Sequence, residues 1–197
     1  MLVSLSWLKE LVQVDDAVDD LAERLSMAGF EVENVDDLSA QSKGVVVGHV
    51  LTRDKHPNAD KLSVCTVDIG TDEPVQIVCG AANVRAGIHV PVATVGAVLP
   101  AVDLTIKAGE LRGVTSDGMI CSLSELGLTA DSSGIAILED STEEVPPVGT
   151  PVAALFGLDD TVLELAITAN RPDGMSMVGI ARAVSYTHLT LPTILLV

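Results

Sequence analysis

From Val45 onward the hydrophobic positions come in short runs that alternate with polar ones, each closed by glycine or proline, which is the pattern of β-strands. The spacing predicts strands over 45–51, 63–69, 75–79 and 90–95. Further along, Leu104, Ile106 and Leu111 fall in a strand pair around Gly109, and 134–138 reads as another strand. One stretch breaks the alternation: 116–126, ended by Gly127, reads as a helix. A small barrel of about five strands, with one helix closing an end, accommodates this order.

The flanks follow a different period. After an opening strand, Ser6 stands where it can cap a short helix over 7–11. Asp16 stands before 17–28, where Val18, Leu21, Leu25 and Ala28 share one helical face. Gly29 occupies the usual left-handed C-terminal position, and 30–35 alternates as a half-buried strand. These first 38 residues are too few to make a core alone, so they require a partner segment. The polar stretch 38–43 reads as a junction, and 141–147, acidic and proline-bearing, as a linker. Beyond it Thr150 caps a predicted helix with Pro151 in the first turn and Gly157 at the end. A strand over 162–167 follows, then a helix over 177–184, with Asp173 as its expected cap and Arg171 expected to pair with a nearby carboxylate.

Charge narrows the function classes. Acidic residues outnumber basic ones 28 to 11, a formal net charge of -17, opposite to the usual balance of a nucleic-acid binder. The imbalance is uneven, because 43–112 carries Lys43, Arg53, Lys55, Lys61, Arg85, Lys107 and Arg112 against an equal number of acids. Contact with an anionic polymer is therefore expected only there. The aromatic residues are Trp7, Phe30, Phe156 and Tyr186, all outside the central strands, which argues against stacking bases on aromatic rings.

Cys65, Cys79 and Cys121 have neither CxxC spacing nor a histidine cluster beside them, so they read as reduced, buried thiols of a cytoplasmic protein. His49 and His89 alternate within apolar strands and read as satisfied side chains instead of ligands. No glycine-rich phosphate loop and no nucleophile–base–acid order is present. Neither a secretory signal nor an apolar window of about 18 residues is found. The chain by itself is thus expected to be no enzyme, to hold no metal or cofactor, and to have no membrane partner.

The most distinctive stretch is His56-Pro57-Asn58-Ala59-Asp60-Lys61-Leu62, in which Pro57 stiffens a polar loop just before a strand. It stands in one order with IVCGAANVRAG at 77–87, VPVA at 90–93, GAVLP at 96–100, LRGVTSDGMICS at 111–122 and ELGL at 125–128. Together these resemble the tRNA-binding oligonucleotide-binding (OB) domain within the β subunit of bacterial phenylalanyl-tRNA synthetase. SWLKELV at 6–12, AGFEVE at 28–33 and the run from Asp159 to Arg182 resemble its flanks, so the likeness covers Met1 to about Val184. Ala169 and Gly174 depart from it, standing where many members carry Pro and Cys.

The resemblance implies a mixed α+β fold: a small OB-type barrel, 39–149, inserted into a small α/β domain formed by 1–38 and 150–184. It implies the N-terminal region of a phenylalanine–tRNA ligase β subunit, an accessory tRNA-binding module without the catalytic and editing parts. The parent would be a class II synthetase using ATP and Mg²⁺, cytoplasmic, and paired with an α subunit in an α2β2 tetramer. Residues 185–197 match nothing in the family and are expected to be a non-native tail outside the fold. If the barrel binds tRNA, the expected contacts are phosphates, through Arg53, Lys55, Lys61, Arg85, Lys43 and Arg112, with hydrogen bonds from His56, Asn58 and Asn83. The rival readings are an architectural or protein-interaction module, and a stand-alone tRNA-binding protein, against which the flanking motifs argue.

Overall fold

The computed structural model describes residues 1–130 and 133–188. The described residues fall into two units, 1–38 with 160–188, and 39–159. Elements are numbered in chain order, twelve strands and three α-helices among the described residues.

In the first unit β1 (Leu2–Ser4), α1 (Leu5–Leu11), α2 (Val18–Met27) and β2 (Glu31–Asp37) meet β12 (Thr161–Ala166) and α3 (Met177–His188). β12 is the central strand, antiparallel to β1 on one side and β2 on the other. The N-terminal segment therefore cannot form its own sheet. Leu163 and Leu165 alternate onto the covered face and pack with Val3, Leu8, Leu21, Leu25, Phe30 and Ile180.

Local capping differs from the expected one. Ser4 caps α1, its hydroxyl accepting the Trp7 N–H at 3.1 Å. Ser6 lies inside the first turn and its hydroxyl donates to Asp160 at 2.9 Å. The Asp160 carboxylate also accepts from the Ser4 hydroxyl and from the N–H groups of Ser6 and Thr161. Burial pushes this carboxyl up, but the hydrogen bonds from Ser4, Ser6 and Thr161 outweigh it and hold the acid below its ordinary range. The stabilisation is therefore present above the unfolded acid's pKa and is lost as pH falls through the lower, folded value. α2 has no side-chain cap at Ala17; Asp16 pairs with Arg24 at 2.9 Å instead.

Asp173 does not cap α3. Ser176 does, accepting the Gly179 N–H at 3.1 Å, while Asp173 is engaged by the Arg171 fork at 3.1 and 2.9 Å. The same guanidinium lies 3.8 Å over the Phe30 ring and donates to the Ala28 carbonyl. α3 continues through His188, so 185–188 extend the helix instead of leaving the fold at Val184; no glycine or proline stands there to stop it. The rest of the expected tail, 189–197, lies outside the described residues.

The second unit holds β3 (Val45–Lys55), β4 (Ser63–Asp68), β5 (Val75–Cys79), β6 (His89–Thr94), β7 (Val98–Leu99), β8 (Leu104–Thr105), β9 (Gly109–Leu111), β10 (Val114–Ser116) and β11 (Gly118–Ile120). Its five-stranded antiparallel sheet runs β11-β6-β3-β4-β5. The two edges approach each other and nearly close a barrel. The Asp117 N–H donates to the Gln76 carbonyl at 2.8 Å, and the Ser116 hydroxyl accepts from Val78 N–H and donates to Gly118.

No helix spans 116–126. Met119 and Ile120 instead pair with β6, and Gly118, at φ 152°, lies so close to the sheet that a Cβ would meet the Ala93 carbonyl at 3.0 Å. Helical geometry is confined to one turn after Ser122, where Ser122 and Glu125 cap each other reciprocally and Gly127 ends it. The strand pair expected around Gly109 turns instead at Arg112–Gly113. Residues 134–138 form no ladder, although Ala136 N–H donates to Cys121 and Ile135 and Ile137 fill the barrel core. The helix expected after Thr150 shrinks to a 3₁₀ turn, Ala154–Phe156. Thr150 and Val152 bond β3 at Val47 and Val45, which ties 150–159 to the barrel unit instead of to the α/β unit.

β3 and β6 are buried on both faces, which explains their nearly continuous apolar runs. Val50, Val90 and Val92 face the barrel core, whereas Val45, Val47 and Ala93 face a second cluster with Leu99, Leu126 and Leu138. Gly48 lies on the inner face, where an added Cβ would come within 2.6 Å of Val92 and 3.0 Å of Val67. Both neighbours are β-branched and cannot swing aside freely. Gly48→Ala is expected to cost about 1 to 3 kcal/mol in urea unfolding; an unchanged midpoint would show slack in the barrel.

Candidate nucleic-acid interface

The site begins with a strand irregularity. β3 pairs with β4 as Val50↔Val67, Thr52↔Thr66 and Arg53↔Cys65, leaving Leu51 as a bulge. Residues alternate faces along a strand, so without the bulge Arg53 and Lys55 would point outward. The extra residue switches them to the inner face, opposite Cys65 and Ser63. There the strands project past the apolar core, and the inward positions become cationic. Arg53, Lys55 and Lys61, with Asp60 and residues 80–82, line a groove of about 470 Å³.

The β3–β4 loop closes on itself through His56 N–H to the Leu62 carbonyl at 3.1 Å and Leu62 N–H to Ala59 at 3.2 Å. It is also docked. His56 is only 2% exposed; its Nδ1 accepts the Asn58 N–H at 3.1 Å, so its other nitrogen, Nε2, is the protonated one and donates to the Leu111 carbonyl at 3.0 Å. Asn58 Nδ2 donates to the Arg112 carbonyl at 2.9 Å. Arg112 and Gly113, at φ 51° and 88°, form the two-residue tip between β9 and β10. Loop and hairpin tip thus make one lip beside the groove.

The remaining expected contacts sort by position. Lys55 and Asp60 form an ion pair at 2.8 Å that is 72% and 92% exposed, too solvated to stabilise much, and Lys61 is exposed. Arg85 is exposed on the β5–β6 loop, just before Gly87, whose N–H donates to Val50. Lys43 precedes the opposite end of β3 and is separated from Lys55 by the length of that strand, about 33 Å at about 3.3 Å per residue. Asn83 is exposed and bonds the backbone of Ile135, donating at 2.9 Å and accepting at 3.1 Å. His56 therefore turns its ring inward, whereas Asn83 stays exposed while bonded to Ile135. No sequence signal announced the Leu51 bulge or the residues at 80–82 that floor the groove.

None of His49, His89 and the three cysteines lines the groove of Arg53, Lys55 and Lys61. His49 and His89 stack at 4.6 Å on the outer face, and His89 Nδ1 lies 2.8 Å from Glu139. The three cysteines are free and buried; burial pushes Cys65 up to about 11 and Cys121 up to about 12, so neither is a nucleophile at neutral pH.

A nearly closed five-stranded antiparallel barrel with these connections is a small barrel of the OB type. Residues 45–147 match the family described as "Putative tRNA binding domain", and the chain belongs to that family. It is 87% identical over 195 residues to the phenylalanine–tRNA ligase beta subunit of Synechococcus sp. (strain CC9902), a match covering 98% of this chain and 24% of the relative. The corresponding subunit of Synechococcus sp. (strain CC9605) is 76% identical, covering 94% and 23%. The chain spans about a quarter of the length of these relatives. Among solved structures, the C-terminal domain of Plasmodium vivax p43 is 23% identical over 53% of this chain and 56% of that one, with a TM-score of 0.36. Among the described residues no helix is long and apolar enough to cross a membrane.

Proposed function

We propose that this chain binds tRNA through the inner rim of the barrel, as the accessory module of a phenylalanine–tRNA ligase β subunit. The observation that carries the reading is the Leu51 bulge, which turns Arg53 and Lys55 onto the same concave face as Lys61. On this reading the longer protein esterifies phenylalanine to its tRNA with ATP and Mg²⁺, in the cytoplasm, as a tetramer with two α subunits. ATP and Mg²⁺ are assigned by this reading to other parts of that assembly. This chain's own residues supply charge and position: phosphates meet guanidinium and ammonium groups, and counterions leave.

With two to four phosphates neutralised, log K for a tRNA transcript should fall against log salt with a slope of roughly -1.5 to -3. Lys55→Ala with Lys61→Ala should weaken binding of every tRNA alike and flatten that slope, because phosphate contacts carry no sequence information directly. Unchanged affinity and slope would favour the second reading, an architectural barrel. One observation favours that alternative: the barrel unit has a single aromatic residue, Phe156, packed against its second cluster, and so offers no stacking platform.

A further inference from the structure

Arg112 occupies a conformation that costs an L-residue energy. A two-residue hairpin with positive φ at both positions favours Asn-Gly or Gly-Gly, yet the first position here is arginine at φ 51°. Such a residue persists only where its surroundings hold it, and strain of this kind gathers at functional sites. The surroundings are visible. The carbonyls on either side of the Arg112 Cα, those of Leu111 and of Arg112 itself, accept from His56 Nε2 and Asn58 Nδ2, and a Cβ on Gly113 would meet Asn58 Nδ2 at 3.3 Å. The donors come from the loop that also carries Lys55 and Lys61 along the groove.

We infer that Arg112 contacts an RNA phosphate, and that His56 and Asn58 are positioning residues which hold the hairpin tip against the loop so that Arg112, Lys55 and Lys61 meet one stretch of RNA backbone. The inference rests on tRNA binding by this face and goes beyond it, since it moves His56 and Asn58 from contact to support. A tip free to wander would have to be ordered when RNA binds, and that ordering lowers affinity. The dock removes this cost before RNA arrives.

The test uses the whole chain and a tRNA transcript at several salt concentrations. Arg112→Asn places at the tip a residue that accepts positive φ, so the melting temperature should hold or rise. Affinity should nevertheless drop about three- to tenfold and the salt slope should flatten by about 1. Asn58→Ala, at an exposed position, should weaken binding about two- to fivefold in the native chain through lost pre-organisation. In the Arg112→Asn background it should do almost nothing further, because coupled residues are non-additive. Unchanged affinity in Arg112→Asn, or equal losses from Asn58→Ala in both backgrounds, would overturn the inference. If Lys55→Ala with Lys61→Ala still weakens binding in that event, the barrel remains an RNA-binding surface and only the role of the tip fails. If no cation matters, the functional reading itself fails.

Discussion

Phe30→Ala is expected to lose about 3 to 5 kcal/mol of stability in the α/β unit, the usual cost of emptying a buried aromatic site. Phe30 is fully buried. Its ring edge fits so closely that a Cβ on Gly174 would come within 2.4 Å of it, leaving the surroundings little room to collapse. The ring also carries the Arg171 guanidinium at 3.8 Å, an attraction of about 0.5 to 2 kcal/mol that vanishes with it. Arg171→Lys, which keeps the charge but loses the fork to Asp173 and the bond to Ala28, should cost less. Denaturant midpoints of the two variants measure the difference. A loss below about 1 kcal/mol for Phe30→Ala would mean the ring is not the centre of this core.

His56→Ala should destabilise the barrel unit by about 2 to 4 kcal/mol, combining an orphaned Leu111 carbonyl at about 1 to 3 kcal/mol with the emptied space. Lys61→Ala, in the same loop but exposed, should stay within about 0.5 kcal/mol. The pair separates structural from contact roles: His56→Ala shifts thermal unfolding by several degrees, and Lys61→Ala shifts RNA binding. Were His56→Ala to unfold like the native chain while losing RNA affinity, the imidazole would be an RNA contact and not the core of the dock.

The sequence alone determined a good deal. Alternation with glycine and proline breaks was enough for the barrel strands, because in β3 to β6 local propensity and burial ask for the same residues. The motif order reached the family, and the need of the first 38 residues for a partner followed from their number. Failures occurred where a local signal competed with a tertiary contact. The stretch 116–126 looks helical by its small and apolar residues, but its first half closes the barrel against β5 and β6. Ser6 and Asp173 look like caps, but Ser6 is taken by Asp160, its neighbour only through the fold, and Asp173 by the fork of Arg171, two residues before it.

The candidate site divides in the same way. Sequence located the cations, since charge type and rough position need no third dimension. Only the tertiary structure decided which of them share a face, because a one-residue bulge at Leu51 reverses the direction of every side chain after it. Only the tertiary structure, too, withdrew His56 inward and tied Asn83 to a distant backbone. Their polar atoms found backbone partners at Leu111 and Ile135, more than fifty residues away, and a hydrogen bond made to a distant carbonyl leaves no periodicity in the chain that makes it.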